Sequence, residues 1–109
     1  MHTPEPGEIA VPEFEIEVKH EAGLHLRPAA LFVQTAARFK SDIQVRNITR
    51  NSPLRNAKSA LEVMMLGVSQ GCRIAGHAEG PDAEEALAVL RRLVESNFSD
   101  AVSGVSEEA

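Results

Sequence analysis

The spacing of hydrophobic and polar positions changes several times along the chain, and each change marks an element. Phe14, Ile16 and Val18 alternate with Glu13, Glu15, Glu17 and Lys19. That two-residue period predicts a strand over 14–20 with one buried face and one wet face. After Gly23 the period lengthens. Ala29, Phe32, Val33, Ala36 and Phe39 recur at helical spacing, with Gln34 and Arg38 opposite them, which predicts a helix over 29–39. Leu31 falls off that stripe and is expected to be exposed. Pro28 suits the first helical turn, where a missing N–H leaves no bond unmade.

Ile43 and Val45 mark a short second strand, 47–53 a turn, and 54–57 a third strand that Pro53 confines to a sheet edge. Ser59-Ala60-Leu61-Glu62 has the form of a capping box. It opens a short helix that runs to about Leu66 and stops at Gly67. Cys72, Ile74, Gly76 and Ala78 then alternate with Arg73, Ala75, His77 and Glu79 in a fourth strand. Gly80-Pro81-Asp82 reads as a turn and cap, with Glu85 completing a second capping box. In the last helix Ala83, Ala86, Leu87, Leu90, Leu93 and Val94 fall on one face, with Glu84, Glu85, Arg91, Arg92 and Glu95 on the other.

The predicted order is β-α-β-β-α-β-α. Each strand has a single apolar face, which suits an α+β fold: a four-stranded antiparallel sheet with three helices on one side. The segment 1–12, rich in proline and acids, reads as a disordered arm. Residues 13–98 form the domain, and 99–109 read as a flexible acidic tail. A domain of that size buries roughly 60–70% of the surface of its unfolded chain, enough for one modest core.

Composition narrows the function. The net charge is −5, and no dense cluster of Lys and Arg could track a phosphate backbone, so nucleic acid is an unsuitable partner. The single cysteine, Cys72, has no partner for an internal disulfide, which points to a reduced, cytoplasmic setting. Apolar runs are too short to span a bilayer. His2, His20 and His77 show no metal-ligand spacing with one another or with Cys72, so neither a metal site nor any other cofactor is expected.

The candidate chemistry lies in Gly23-Leu24-His25-Leu26-Arg27-Pro28-Ala29-Ala30. A histidine just before a helix faces the unpaired N–H groups of Leu26 and Arg27 and the positive end of the helix dipole, a ready anion site. Arg27 adds a guanidinium shaped to grip phosphate oxygens in pairs. An imidazole with an ordinary pKa of about 6.5 offers a neutral ring nitrogen as nucleophile at cellular pH. The combination suits reversible acceptance of a phosphoryl group. A histidine in that place also serves as a plain polar cap, and position alone does not separate the two readings.

The run Gly23 to Ala29 resembles the active-site signature of the histidine-containing phosphocarrier (HPr) family of the sugar phosphotransferase system. Lys58-Ser59, Gly67, Gly71 and the stretch from Glu79-Gly80 to Glu85-Ala86 match further along, so the likeness runs from about Phe14 to Phe98. It implies the HPr open-faced sandwich. It implies that His25, at Nδ1, takes phosphate from phospho-enzyme I and passes it to an EIIA-type acceptor, with Arg27 steadying the phosphate. The partners would supply most of the catalytic machinery. The implied docking face comprises Leu26, Arg27, Ala30, Ala60, Leu61, Met64 and Met65, with Val63 and Leu66 in the core. A monomer is expected.

Ser59 matches a site that, in some members, an HPr kinase/phosphorylase modifies, which suggests an alternative function, a regulatory binding module controlled by phosphorylation at Ser59. Its hydroxyl is equally a good helix cap, and Glu62 would repel an added phosphate. Leu26 stands where a small residue is usual, and the connection from Val45 to Ser59 is longer than the family pattern. A third possibility, a ferredoxin-like ligand-binding domain, lacks the paired Cys and His ligands it would need.

Overall fold

The computed structural model describes residues 12–99. The arm expected over 1–12 and the tail expected over 99–109 lie outside the described residues, apart from Pro12 and Ser99. In chain order the elements are β1 (Glu13–Glu17), α1 (Leu26–Ala37), β2 (Asp42–Asn47), β3 (Arg55–Asn56), α2 (Ala60–Met65), β4 (Arg73–Glu79) and α3 (Ala83–Glu95). This is the predicted order. The strands form one antiparallel sheet in the order β1-β4-β2-β3.

Register follows from the alternation. Phe14 faces Gly76, Ile16 faces Ile74, and Val45 faces Gly76 from the other side, so the apolar positions of three strands share one face. On that face Phe14, Val18, Ile43, Val45, Ile74 and Ala78 meet the buried sides of the helices in a single core. β3 is only two residues long and sits at the sheet edge, as Pro53 requires, and Leu54 remains outside it. β1 is regular only to Glu17, but its pairing continues: the N–H of Val18 donates to Cys72 (2.8 Å) and the N–H of Gly71 to Val18 (2.7 Å).

Four expectations need correction. Leu31 is buried, at 8% exposure, while Val33 is only half-buried. α1 packs against both α2 and α3, so its covered arc is wider than a helix lying on a sheet alone would need. The same helix ends at Ala37, and Phe39 reaches the core from beyond it. Ala75, expected on the wet face, is also buried. It lies between Glu15 and Arg46 on neighbouring strands, and a methyl group is short enough for longer neighbours to cover.

The second capping box does not form. Asp82 precedes α3 without capping it. Its carboxylate instead accepts from the N–H of Lys40 (3.0 Å), the N–H of Ser41 (2.9 Å) and the hydroxyl of Ser41 (2.6 Å). The turn after α1 leaves those donors open, and Asp82 binds it to the start of α3. The Ser41 hydroxyl, followed by the Lys40 N–H, holds the Asp82 carboxyl down at about 2.

Candidate functional site

His25 is placed by the turn that follows β1. The N–H of Ala22 donates to His20 Nδ1 (3.0 Å), and the N–H of Gly23 to the His20 carbonyl (2.9 Å). The His20 ring packs edge-on to Phe98 at 5.7 Å. The decisive tie comes next: the N–H of Leu24 donates to the Val68 carbonyl at 3.0 Å, with Leu24 fully buried. Gly23 makes this approach possible. Its φ is +66°, and a Cβ there would stand 2.1 Å from the Val68 oxygen, so the position excludes a side chain on both conformational and steric grounds.

The chain then turns into α1 with His25 as its N-cap residue, in extended conformation (φ −133°, ψ 166°). Its carbonyl accepts from the N–H of Ala29 (3.4 Å). Its ring is half-exposed and makes no capping bond. Among the described residues no ion pair engages the ring or the exposed guanidinium of Arg27. The first turn contains no acidic residue, so nothing there competes with an incoming anion for the open N–H groups of Leu26 and Arg27. Pro28 lies buried in that turn, as its ring chemistry predicts.

Leu26 is the surprise. It adopts φ +54°, a left-handed conformation that costs a non-glycine residue about 1–2 kcal/mol, and it is 79% exposed. The strain sits directly beside His25, where such outliers concentrate in functional sites. A leucine carries no sequence signal for positive φ.

α1 and α2 lie antiparallel and are fastened at both ends. Leu24 to Val68 ties the start of α1 to the residue three beyond the end of α2. At the other end Lys58 Nζ donates to the Phe39 carbonyl at 2.7 Å. The exposed face of α2 therefore adjoins His25. Leu61, Met65 and Met64 are 67%, 54% and 42% exposed, and Ala30 and Ala60 are exposed as well. Val63 and Leu66 are buried, as expected. Together with Leu26 these side chains give an apolar surface beside the histidine, of the kind that marks an interaction site.

Ser59 is the N-cap of α2, and its hydroxyl accepts from the N–H of Glu62 at 3.2 Å. Only that half of the capping box forms. The Glu62 carboxylate accepts from Asn56 N–H (2.9 Å) instead, while Ser59 N–H donates to the Asn56 carbonyl (3.1 Å).

From sequence alone Asn47 reads as the first residue of a turn, with no role of its own. It ends β2 fully buried. Its side-chain amide donates to the Leu66 carbonyl (3.0 Å), and its side-chain oxygen accepts from Arg50 N–H (3.1 Å). It thereby joins the β2–β3 connection to the end of α2. Cys72 lies beneath this junction. Burial pushes its thiol up, but bonds from Ser69 and Asn47 and the charge of Arg50 outweigh that and leave it lowered.

A family model described as the PTS HPr component phosphorylation site matches residues 12–96. The phosphocarrier protein HPr of Treponema pallidum is 39% identical over 85 residues, which is 78% of this chain and 93% of that one. A multiphosphoryl transfer protein of Haemophilus influenzae is 39% identical over 88 residues, 81% of this chain but 18% of that protein. The chain thus spans about a fifth of the length of the multiphosphoryl relatives it matches. Among solved structures, an HPr from Thermoanaerobacter tengcongensis superposes with a TM-score of 0.76 at 50% identity, covering 80% of this chain and 94% of the other.

Proposed function

This chain belongs to the HPr family, and on that footing we propose that it is a phosphocarrier whose His25 receives a phosphoryl group from phospho-enzyme I and passes it to an EIIA-type acceptor. In the first transfer a ring nitrogen of His25 directs its lone pair at phosphorus. The bond between phosphorus and the donor's own atom breaks, and that atom keeps the electron pair. The second transfer repeats the exchange with His25 as leaving group, so no oxidant or reductant is involved. The chain's own part is to hold a dianion reversibly. The open N–H groups and dipole of α1 supply partial positive charge, and Arg27 supplies a full one. The apolar surface formed by Leu26, Leu61, Met64 and Met65 is the docking face, and methionines suit a surface that must accept different partners in turn.

One observation carries the reading. A histidine whose ring makes no capping bond stands at the N-cap of a helix of twelve residues whose first turn holds an arginine and no acid. Among the described residues no helix is long and apolar enough to cross a membrane, in keeping with a carrier that meets its partners in the cytoplasm. The alternative, a module switched at Ser59, has less support: the hydroxyl is occupied as a cap and Glu62 follows closely.

The test is incubation with phosphoenolpyruvate and enzyme I. Acid-labile phosphate should appear on the protein and be absent from His25→Ala. Acid-stable phosphate that needs ATP and Ser59 would instead support the regulatory module.

A further inference from the structure

The aim of the His25 ring depends on its backbone, because the ring makes no capping bond of its own. That backbone arrives through residues 19–24. Val18 still pairs with Cys72, and Leu24 is fixed to Val68. Between those anchors the chain reverses in a turn from His20 to Gly23, closed by the Gly23 N–H on the His20 carbonyl (2.9 Å). A second bond crosses the same turn, from the Ala22 N–H to His20 Nδ1 at 3.0 Å. Aspartate and asparagine lock turns in this way, with a side-chain acceptor for the N–H two residues on. Here a histidine does so. A ring nitrogen that accepts carries no proton, so the proton of the neutral His20 ring resides on Nε2.

The His20 ring has a support of its own, and it comes from the end of α3. That helix closes in a Schellman motif: the N–H of Asn97 donates to the Val94 carbonyl (3.0 Å) and the N–H of Phe98 to the Leu93 carbonyl (2.8 Å). Asn97 takes the left-handed conformation the motif calls for, with φ +61°, but Phe98 takes it too, with φ +66°. Bulky residues rarely do so, and such a conformation persists only where its surroundings fix it. Phe98 is fixed by burial. It is 5% exposed, and its ring meets His20 edge-on at 5.7 Å with 83° between the planes. The Ser99 hydroxyl fastens the turn to the Ser96 carbonyl at 2.6 Å.

We infer that His20 is a positioning residue for His25. Its unprotonated Nδ1 holds the turn shut, Phe98 holds its ring in place, and the turn delivers Leu24 and His25 to the start of α1 in the orientation that phosphoryl transfer needs. The inference rests on the carrier reading and adds to its site a residue that acts only through another. The end of α3 thereby bears on the reacting ring without reaching it. A residue of this kind affects the chemical step rather than docking, since a misplacement of about 1 Å costs on the order of a hundredfold in rate.

Single-turnover transfer from phosphorylated enzyme I to the full chain, followed over a range of concentrations, separates positioning from stability. His20→Leu should lower the rate at saturation by roughly tenfold and leave the half-saturating concentration within about twofold of wild type. His20→Asn should recover most of the lost rate, because its side-chain oxygen accepts from the Ala22 N–H as Nδ1 does. Phe98→Leu keeps an apolar side chain beneath the ring and should fall between wild type and His20→Leu. Ser41→Ala loosens the opposite end of α1, where Ser41 meets Asp82, and should keep the wild-type rate, so that lower stability by itself is discounted. Thermal melts establish that each variant is folded at the assay temperature. On the unmodified chain, nitrogen NMR of isotope-labelled histidine, at a pH where every histidine is neutral, should find the His20 proton on Nε2. A proton on Nδ1 overturns the inference even where a variant fails to fold. A wild-type saturating rate in His20→Leu, or no recovery in His20→Asn, overturns it as well and leaves the carrier reading intact. Failure of the wild type to accept phosphate at all overturns both.

Discussion

Replacing Gly23 with alanine tests whether the tie between the His25 loop and α2 is as specific as its geometry indicates. Two costs arise. Alanine at φ +66° bears the left-handed penalty of about 1–2 kcal/mol. In addition its Cβ would fall 2.1 Å from the Val68 carbonyl oxygen, far inside contact distance. The carbonyl must withdraw, leaving the buried Leu24 N–H without its acceptor at about 1–3 kcal/mol. Alanine also restricts the unfolded chain, which offsets about 0.4–1 kcal/mol. The net destabilisation is about 2–4 kcal/mol, and at about 4–8 °C per kcal/mol for a small domain the midpoint falls by roughly 10–25 °C. Gly71→Ala is the matched control. Its φ is +93° with nothing within 4 Å of the added carbon, so only strain remains, about 0.5–1 kcal/mol after the same offset. Urea titration of both variants gives the difference directly. Stabilities within about 0.5 kcal/mol of each other would refute the steric argument. With Gly23→Ala kept below its melting temperature, phosphate acceptance by His25 should also slow, because the residue that positions the ring has lost its anchor.

The Asp82 carboxyl is held at about 2 in the folded chain against 3.8 without its partners. Its contribution is therefore complete above the higher value and is lost as pH falls toward the lower one. Acid unfolding followed by circular dichroism should lose its dependence on this group in Asp82→Asn, giving a less stable protein near neutrality and a flatter acid limb between those two values. Leu26→Gly should raise stability by about 0.5–1 kcal/mol, the relieved strain less the added freedom of the unfolded chain, while weakening transfer from enzyme I by loss of an exposed apolar contact; a lower melting temperature would count against the strain. Met65→Ser should leave stability within about 0.5 kcal/mol yet raise KM for the phosphoryl donor by about fivefold, the size of a 1 kcal/mol contact. An unchanged KM removes Met65 from the docking face.

Alternating and helical periods placed β1, β2, β4, α1 and α3, because each of these strands and helices turns an apolar face to the core, while β3 and α2 were legible from the turn at Pro53 and the cap at Ser59. The histidine, the arginine and the proline were legible for the same local reason: their roles at a helix start depend on neighbours in sequence. What escaped depends on neighbours in space. Leu31 is covered because α1 has a helix on either side. Asp82 abandons its own helix for the distant donors of Lys40 and Ser41. Asn47 looks like a turn residue until Leu66, nineteen positions later, presents a carbonyl to it. The left-handed Leu26 had no local warning, since leucine has no preference for that conformation.

The bond at each end of the α1–α2 pair has a consequence for traffic through the protein. On the proposed carrier role, two helices clamped into one plate would offer donor and acceptor the same footprint, with His25 at its margin. Two visitors cannot occupy that footprint together, so each must depart before the next arrives. The exchange should then follow ping-pong kinetics, with excess acceptor slowing the loading step by simple competition.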